Sequence, residues 1–401
     1  MRILIVSPFF APYSGVGAVR MTSLATSLVN NGHDVTVLAL SEEYIRNKNK
    51  NEASALPVQN IRIIRYDVKP HMRQLVEEYV ARKSLKKKLE EFLDQYFVDI
   101  IVVSVGPYYT FTPIKDVCMK RQIPYVIDYR DLGVLEDAVK YNSMLTRIKA
   151  FIYKNIAGKK ERVAAEEASR LIAVTLGDVE RLKHGFNLNH VEVVFNGYDE
   201  KRLSGITITE SEKSVFYIGY VGKLLFYAPE RTYALLRAIR DVRAQGHDVR
   251  LLHVGTALQD TKELLEEIGL DEVAYEYHGS LDYAIAMQTI SKSSMFYIEY
   301  AHPSGLGTKI FDYIYLNKPV LVAAPEDCYL GRFVDSLYGG FHCCDAESIS
   351  RALAVCLSGE PEHLLDDAEI KKYSREIQNQ KYESILLTVV NEYKAMRGDK
   401  S

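Results

Sequence analysis

The stretch Gly305–Pro325, GLGTKIFDYIYLNKPVLVAAP, holds the residue types best suited to chemistry. Gly305 and Gly307 predict a flexible loop, and Thr308 is placed to cap a helix that runs to about Leu316. Lys309 and Asp312 stand three apart, on one face near the positive end of that helix. Free N–H groups at a helix start, joined by a lysine, suit a phosphate. A carboxylate one turn further in suits sugar hydroxyls. Together the two would grip a sugar nucleotide; the plain alternative is an exposed ion pair on a surface helix. Asn317 and Pro319 stop the helix, and Val320–Ala324 reads as a buried parallel strand.

Such a helix needs a sheet to hold it. Ile3–Ser7 reads as a first strand, followed by a loop with Gly15 and Gly17, a helix from about Val19 to Asn30 and a strand Val35–Leu40. That is a βαβ unit. The two glycines allow close backbone approach to a ligand, although the full G-x-G-x-x-G pattern is missing. Ile61–Tyr66, Ile100–Val103, Tyr125–Asp128, Leu171–Val174 and Val191–Val194 read as further strands. In an open parallel sheet, ligands bind at the carboxyl ends of strands. The Gly15 loop, the loop after Val103 and the segment Tyr129-Arg130-Asp131-Leu132 all lie at such ends. Asp131 is a candidate to orient an acceptor hydroxyl or take its proton; the alternative is an aspartate salt-bridged to Arg130. Residues 42–60 read as a polar loop, and 133–168 as a charged helical region.

After Asp199 the character changes, and residues 200–214 read as a linker. Phe216–Val221 restarts a strand, with Gly222-Lys223-Leu224 as its loop. A helix from Pro229 to Gln245 carries Arg231 near its start. The strand Val249–Val254 ends at Gly255, and Tyr275–His278 and Met295–Tyr300 are two more strands. His253 and His278 sit at strand ends, as site residues or as ordinary structural histidines. From Asp366 the chain reads as helical to about Arg397, with Ile377, Tyr382, Ile385, Leu386 and Val389 as its apolar side. No strand follows, so this tail is expected to cross back onto the first domain. The layout is 1–199, 200–372 and a returning helix 373–401.

Composition bounds the function. The 401 residues favour two domains, and a net charge of −3 gives no electrostatic reason to expect nucleic acid. Five cysteines, odd in number and without metal spacing, point to reduced thiols buried as small apolar residues in a cytoplasm. No signal peptide or bilayer-crossing run is evident. A helix over Met72–Tyr96 carries Arg82-Lys83 and Lys86-Lys87-Lys88. This cluster is a candidate for peripheral contact with the inner face of an anionic membrane, or a solvated helix face.

Several motifs occur together: Arg2-Ile-Leu-Ile-Val with Gly15, Gly17 and Arg20; Gly32-His33-Asp34; Asp128-Tyr-Arg-Asp131; Phe195-Asn-Gly-Tyr-Asp199; Gly222-Lys223; and Thr308-Lys309-Ile-Phe-Asp312-Tyr with Lys318-Pro319. In order and spacing the chain resembles the GT-B glycosyltransferases of the retaining family numbered four. The resemblance implies an α/β fold of two Rossmann-like doubly wound parallel-sheet domains facing across a cleft, the second binding a nucleotide-sugar and the first an acceptor. It puts Gly15 and Gly17 near the donor phosphates, with Arg20 in the same motif. It puts Lys223 where the family has a basic residue for the diphosphate, and Arg231 near a second such position. Asp312 falls on a glutamate that bonds ribose, and Lys309 on the lysine of a branch signed by lysine, two residues, then acid. Gly255, His278 and Thr308 complete the candidate donor set. Three departures stand out: Ser304 where another branch has an acid, Arg231 only approximating the second basic position, and Leu132 in place of an aromatic.

The implied reaction is transfer of a sugar, with retention, to a saccharide or lipid-linked acceptor in cell-surface polysaccharide or glycoconjugate synthesis. Charge growing on the leaving diphosphate would be met by Lys223, Lys309 and Arg231. No Asp-x-Asp motif is present, so neither a metal nor another cofactor is expected. Retention in the family is attributed to front-face attack assisted by the donor phosphate, which needs no protein nucleophile. Three rivals remain: an epimerase of the same fold, a nicotinamide dehydrogenase, and a non-catalytic nucleotide-sugar-binding module. The dehydrogenase would want an acid at the end of the second strand, which here reads Ala39-Leu40-Ser41.

Overall fold

The structure is a computed structural model of the chain, describing residues 1–13, 15–48, 58–68, 74–135, 144–209, 214–226, 228–257, 261–300 and 305–398. The chain divides into two compact units, Met1–Phe195 with Gln378–Ser401, and Asn196–Ile377. The sequence put the divisions at 199/200 and 372/373. Ser304 and residues 49–57 lie outside the described residues, as does part of the expected linker.

In the first unit the described strands are β1 (Arg2–Val6), β2 (Asp34–Leu40), β3 (Arg62–Tyr66), β4 (Ile100–Ser104), β5 (Tyr125–Tyr129), β6 (Arg170–Ala173) and β7 (Val191–Val193). They form a parallel sheet in the order β3-β2-β1-β4-β5-β6-β7. Both faces are covered, so the strands read as near-continuous apolar runs. Successive side chains point to opposite faces. Leu4, Val6, Ile101 and Val103 pack in one core layer. Ile3, Ile5, Ile100 and Val102 pack in the other, against Met21 and Leu24 of the helix Val16–Asn30 and Tyr382, Leu386 and Val389 of the helix Arg375–Met396. Strand order reverses between β1 and β4, which is where such a sheet opens a crevice for ligands.

The second unit orders its strands β10-β9-β8-β11-β12-β13. They are β8 (Phe216–Leu224), β9 (Val249–Ala257), β10 (Tyr275–Tyr277), β11 (Met295–Glu299), β12 (Val320–Ala323) and β13 (Gly340–Cys343), all parallel. Here the order reverses between β8 and β11.

Five expectations need correction. β8 and β9 each run three residues further than their apolar patterns, because Gly222 to Leu224 pair in register with Gly255 to Ala257. The strand β13 went unread, since GFHC is short and mixes polar with apolar residues. Residues 42–48, expected as loop, form the helix Glu42–Lys48. The tail is broken: Asp367–Ile370 and Lys371–Tyr373 are separate turns, and Ser374 precedes the long helix. Ile377, expected on the buried side, is 42% exposed.

Candidate functional site

In the second unit Lys309 opens the helix Lys309–Leu316, which links β11 to β12. Thr308 stands at the N-cap, but its backbone is already helical (φ −99°, ψ −24°) and its side chain makes no capping bond. A capping side chain needs an extended backbone to reach the free N–H groups.

Lys309 and Asp312 serve different neighbours. The Lys309 ammonium lies 4.4 Å from the centroid of the Tyr220 ring and donates to its hydroxyl at 3.4 Å. A Cβ on Gly222 would sit 2.5 Å from Lys309 Nζ, so bare glycine backbone is what admits the ammonium. Burial pulls the Lys309 pKa down to about 8, against the opposing field of Glu299. Asp312 instead accepts from the Tyr283 hydroxyl at 2.6 Å. The Arg202 guanidinium covers the Tyr283 ring at 3.9 Å. Burial raises Asp312 to about 6, while the Tyr283 bond, Arg375 and Arg202 pull the other way. Arg375 belongs to the segment that meets residues 196–199: it donates to Asp199 at 2.8 Å and to the Asn196 and Gly197 carbonyls at 3.3 Å.

Gly222 and Gly255 face each other across β8 and β9 with φ of +136° and +142°. A Cβ on Gly255 would fall 2.0 Å from the Gly222 carbonyl oxygen. The close approach that Gly255 permits is therefore to its neighbouring strand. His253, fully buried, lies 3.0 Å from that same carbonyl through Nε2 and 2.6 Å from the Tyr275 hydroxyl through Nδ1. A carbonyl only accepts, so Nε2 carries the proton and Tyr275 donates to Nδ1. Burial lowers the His253 pKa to about 4, so the ring is neutral. It holds the β8 end in place.

The other candidate cations stand around this edge. Lys223 is exposed, its ammonium 5.0 Å from the Phe226 ring centroid. Arg231 lies in the first turn of the helix Pro229–Ala244, 3.4 Å from the Cys344 carbonyl; its buried Nε has no hydrogen bond among the described residues and lies 3.8 Å from Glu230. His278 is engaged with Glu276 at 2.8 Å. Tyr220, Glu299, Tyr283, Arg202 and Arg375 were not singled out in the sequence. Glu299 carried a signal: an acid closing the apolar strand MFYIE.

In the first unit the glycines make room for side chains. A Cβ on Gly15 would meet the Tyr13 ring at 2.5 Å, and one on Gly17 would meet Arg130 Nη1 at 2.1 Å. Arg130 donates to Asp131 at 2.9 and 2.5 Å, so Asp131 is salt-bridged to its neighbour. Arg20 is buried against Asp128, with Nη2 at 2.9 Å and Nε at 3.2 Å from the carboxylate. Leu132 is buried.

Among the described residues, no group of three His, Cys, Asp or Glu is arranged to hold a metal ion. No helix among them is long and apolar enough to cross a membrane. The basic cluster lies on the helix Gln74–Gln95, where Arg82, Lys83, Lys86, Lys87 and Lys88 are matched by Glu77, Glu78, Glu90, Glu91 and Asp94. Lys87 and Lys88 pair with Glu91 at 3.8 and 3.0 Å, and Tyr79 on the same helix is 47% exposed. Four of the cysteines are buried; Cys344 is exposed, contrary to the expectation that all pack as small apolar residues.

Residues 16–202 match the model of Glycosyltransferase Family 4. The chain as a whole has the GT-B fold. It superposes on sucrose-phosphate synthase of Thermosynechococcus elongatus with a TM-score of 0.62 at 14% identity, covering 100% of both chains. HepE of Anabaena, solved with UDP and glucose, gives 0.54 at 15% identity with 100% of both chains covered. A Listeria monocytogenes protein assigned provisionally as a UDP-N-acetylglucosamine 2-epimerase gives 0.58 at 12% identity, covering 100% of this chain and 97% of that one. At such identities the likeness establishes the fold alone. A sequence comparison with curated proteins finds no match.

Proposed function

We propose that this glycosyltransferase-family chain moves a hexosyl group from a nucleotide-sugar, of the UDP type, to a saccharide or lipid-linked acceptor, with retention and without a metal. The observation that carries this is Lys309. Its ammonium sits over the Gly222 backbone at the carboxyl edge of the second sheet, on the same short helix as Asp312. It is poised for charge that grows on a leaving diphosphate, and stabilises the transition state more than the ground state. Lys223 and Arg231, in the same unit, are the further cations proposed to share that role. Asp312 is left to meet ribose hydroxyls. Asp131 is the acceptor-side candidate, with its bond to Arg130 fixing the carboxylate.

The test is product analysis with a panel of UDP-sugars. Expected are sugar transfer dependent on added acceptor, an anomeric configuration kept by NMR, and activity that survives EDTA. An epimerase is the second reading, favoured by the full-length superposition on the Listeria protein. It would alter the donor sugar with no acceptor present, which the same assay detects.

A further inference from the structure

We propose that Glu299 is a positioning residue for Lys309, acting through the Tyr220 hydroxyl. This rests on the reading of Lys309 as a ligand of the donor phosphates. Glu299 ends β11, at the point where strand order reverses, and is 2% exposed. A carboxylate is costly to bury there unless hydrogen-bonded and matched by charge. One oxygen accepts from the Thr232 hydroxyl on the helix Pro229–Ala244. The other faces the Tyr220 hydroxyl at 3.4 Å. Tyr220 in turn accepts from Lys309 Nζ at 3.4 Å, and its one proton is shared between Glu299 and the Lys223 carbonyl, 3.1 Å away. Lys309, Tyr220 and Glu299 thus form a relay of ammonium, hydroxyl and carboxylate, drawn from the site helix, β8 and β11.

Among the described residues, Glu299 is the counter-charge that acts on the ammonium. From β8 come Tyr220 and the exposed Lys223; from β9 comes His253, buried and neutral; from β11 comes Glu299. Asp312, on the same helix, is turned to Tyr283. Burial alone favours a neutral amine. A neutral amine would offer a phosphate no charge. Glu299 opposes that shift, while the Tyr220 ring below and the Gly222 backbone beside it set where the ammonium sits.

Glu299→Gln removes the charge and keeps acceptor and donor groups for the two hydroxyls. The experiment follows acylation of Lys309 by acetic anhydride against pH in the full chain, read by mass spectrometry, alongside affinity for UDP-glucose. Expected is half-reaction near pH 8 in the native protein and at least about one unit lower in Glu299→Gln. UDP-glucose affinity should then fall about fourfold more at pH 8 than at pH 6.5. An unchanged titration of Lys309 overturns the proposal. If Glu299→Gln does not fold, Tyr220→Phe is read instead: losing the bridging hydroxyl lowers the same titration, and no change overturns the relay. Lys309→Met tests the underlying site separately. If it binds UDP-glucose as well as the native chain does, the donor reading fails, whatever the amine titration shows.

Discussion

The Tyr283 hydroxyl donates to the Asp312 carboxylate at 2.6 Å, which engages one carboxylate oxygen before any ligand arrives. On the proposed reading, the other oxygen is the one that meets ribose. Asp312→Asn retains an oxygen for Tyr283 and loses the charge. Its donor KM is expected to rise about ten- to a hundredfold with kcat less affected, the loss of one charge-assisted hydrogen bond. Stability should move the opposite way. The folded pKa, about 6, lies above the ordinary carboxylate value. The folded state then holds the proton more tightly, so stability falls as pH rises toward 6 and stays lowered above it. Asparagine removes that cost, and unfolding in urea at pH 7.5 should show a gain of ~1–3 kcal/mol.

The same two groups set the pH range for donor use. Asp312 is charged above about 6 and Lys309 below about 8. The donor kcat/KM is expected to form a bell with limbs near these values. Lys309→Met should abolish the alkaline limb and lower kcat as well as donor affinity, because the ammonium meets charge that develops during bond breaking. A Lys309→Met enzyme with an unchanged alkaline limb would assign that limb to another group.

Most of the fold was legible because buried parallel strands leave continuous apolar runs, as in IIVVS of β4. β13 was not, because His342 and two small residues dilute its run. At the site, helix spacing put Lys309 and Asp312 on one face but could not reveal their partners. Those partners, Tyr220 and Tyr283, come from β8 and from the helix Tyr283–Ile290, far away in sequence. Gly222 and Gly255 were legible as glycines near strand ends; that they face each other became visible only with the register of β8 on β9.

That register makes two glycine substitutions behave differently. A Cβ on Gly255 meets backbone, the Gly222 carbonyl oxygen at 2.0 Å, and φ is +142°. Neither strand can yield without breaking the ladder. A Cβ on Gly17 meets the Arg130 side chain first, its Nη1 at 2.1 Å, and that side chain can rotate away. Thermal denaturation should show a large loss for Gly255→Ala, on the order of 2–4 kcal/mol, and under about 1 kcal/mol for Gly17→Ala. A Gly255→Ala protein as stable as the native one would contradict the close pairing of β8 and β9.

Arg20 is the donor-set candidate whose burial argues most directly for a structural role. Its side chain is 8% exposed and Asp128 is 0% exposed. The pair joins the helix Val16–Asn30 to β5, while Arg20 Nη1 also donates to the Phe195 carbonyl at 3.1 Å. Removing one partner strands a buried charge, so Asp128→Ala should cost about 3–5 kcal/mol. Replacing both, as in Arg20→Met with Asp128→Leu, should recover most of that loss, because desolvation offsets much of the attraction in a buried pair. Denaturant unfolding of the two single variants and the double variant measures the coupling. UDP-glucose affinity of the double variant then decides the role. Unchanged affinity leaves Arg20 as the brace between helix and sheet; a loss of about tenfold or more, 1.4 kcal/mol, makes it a donor ligand as well.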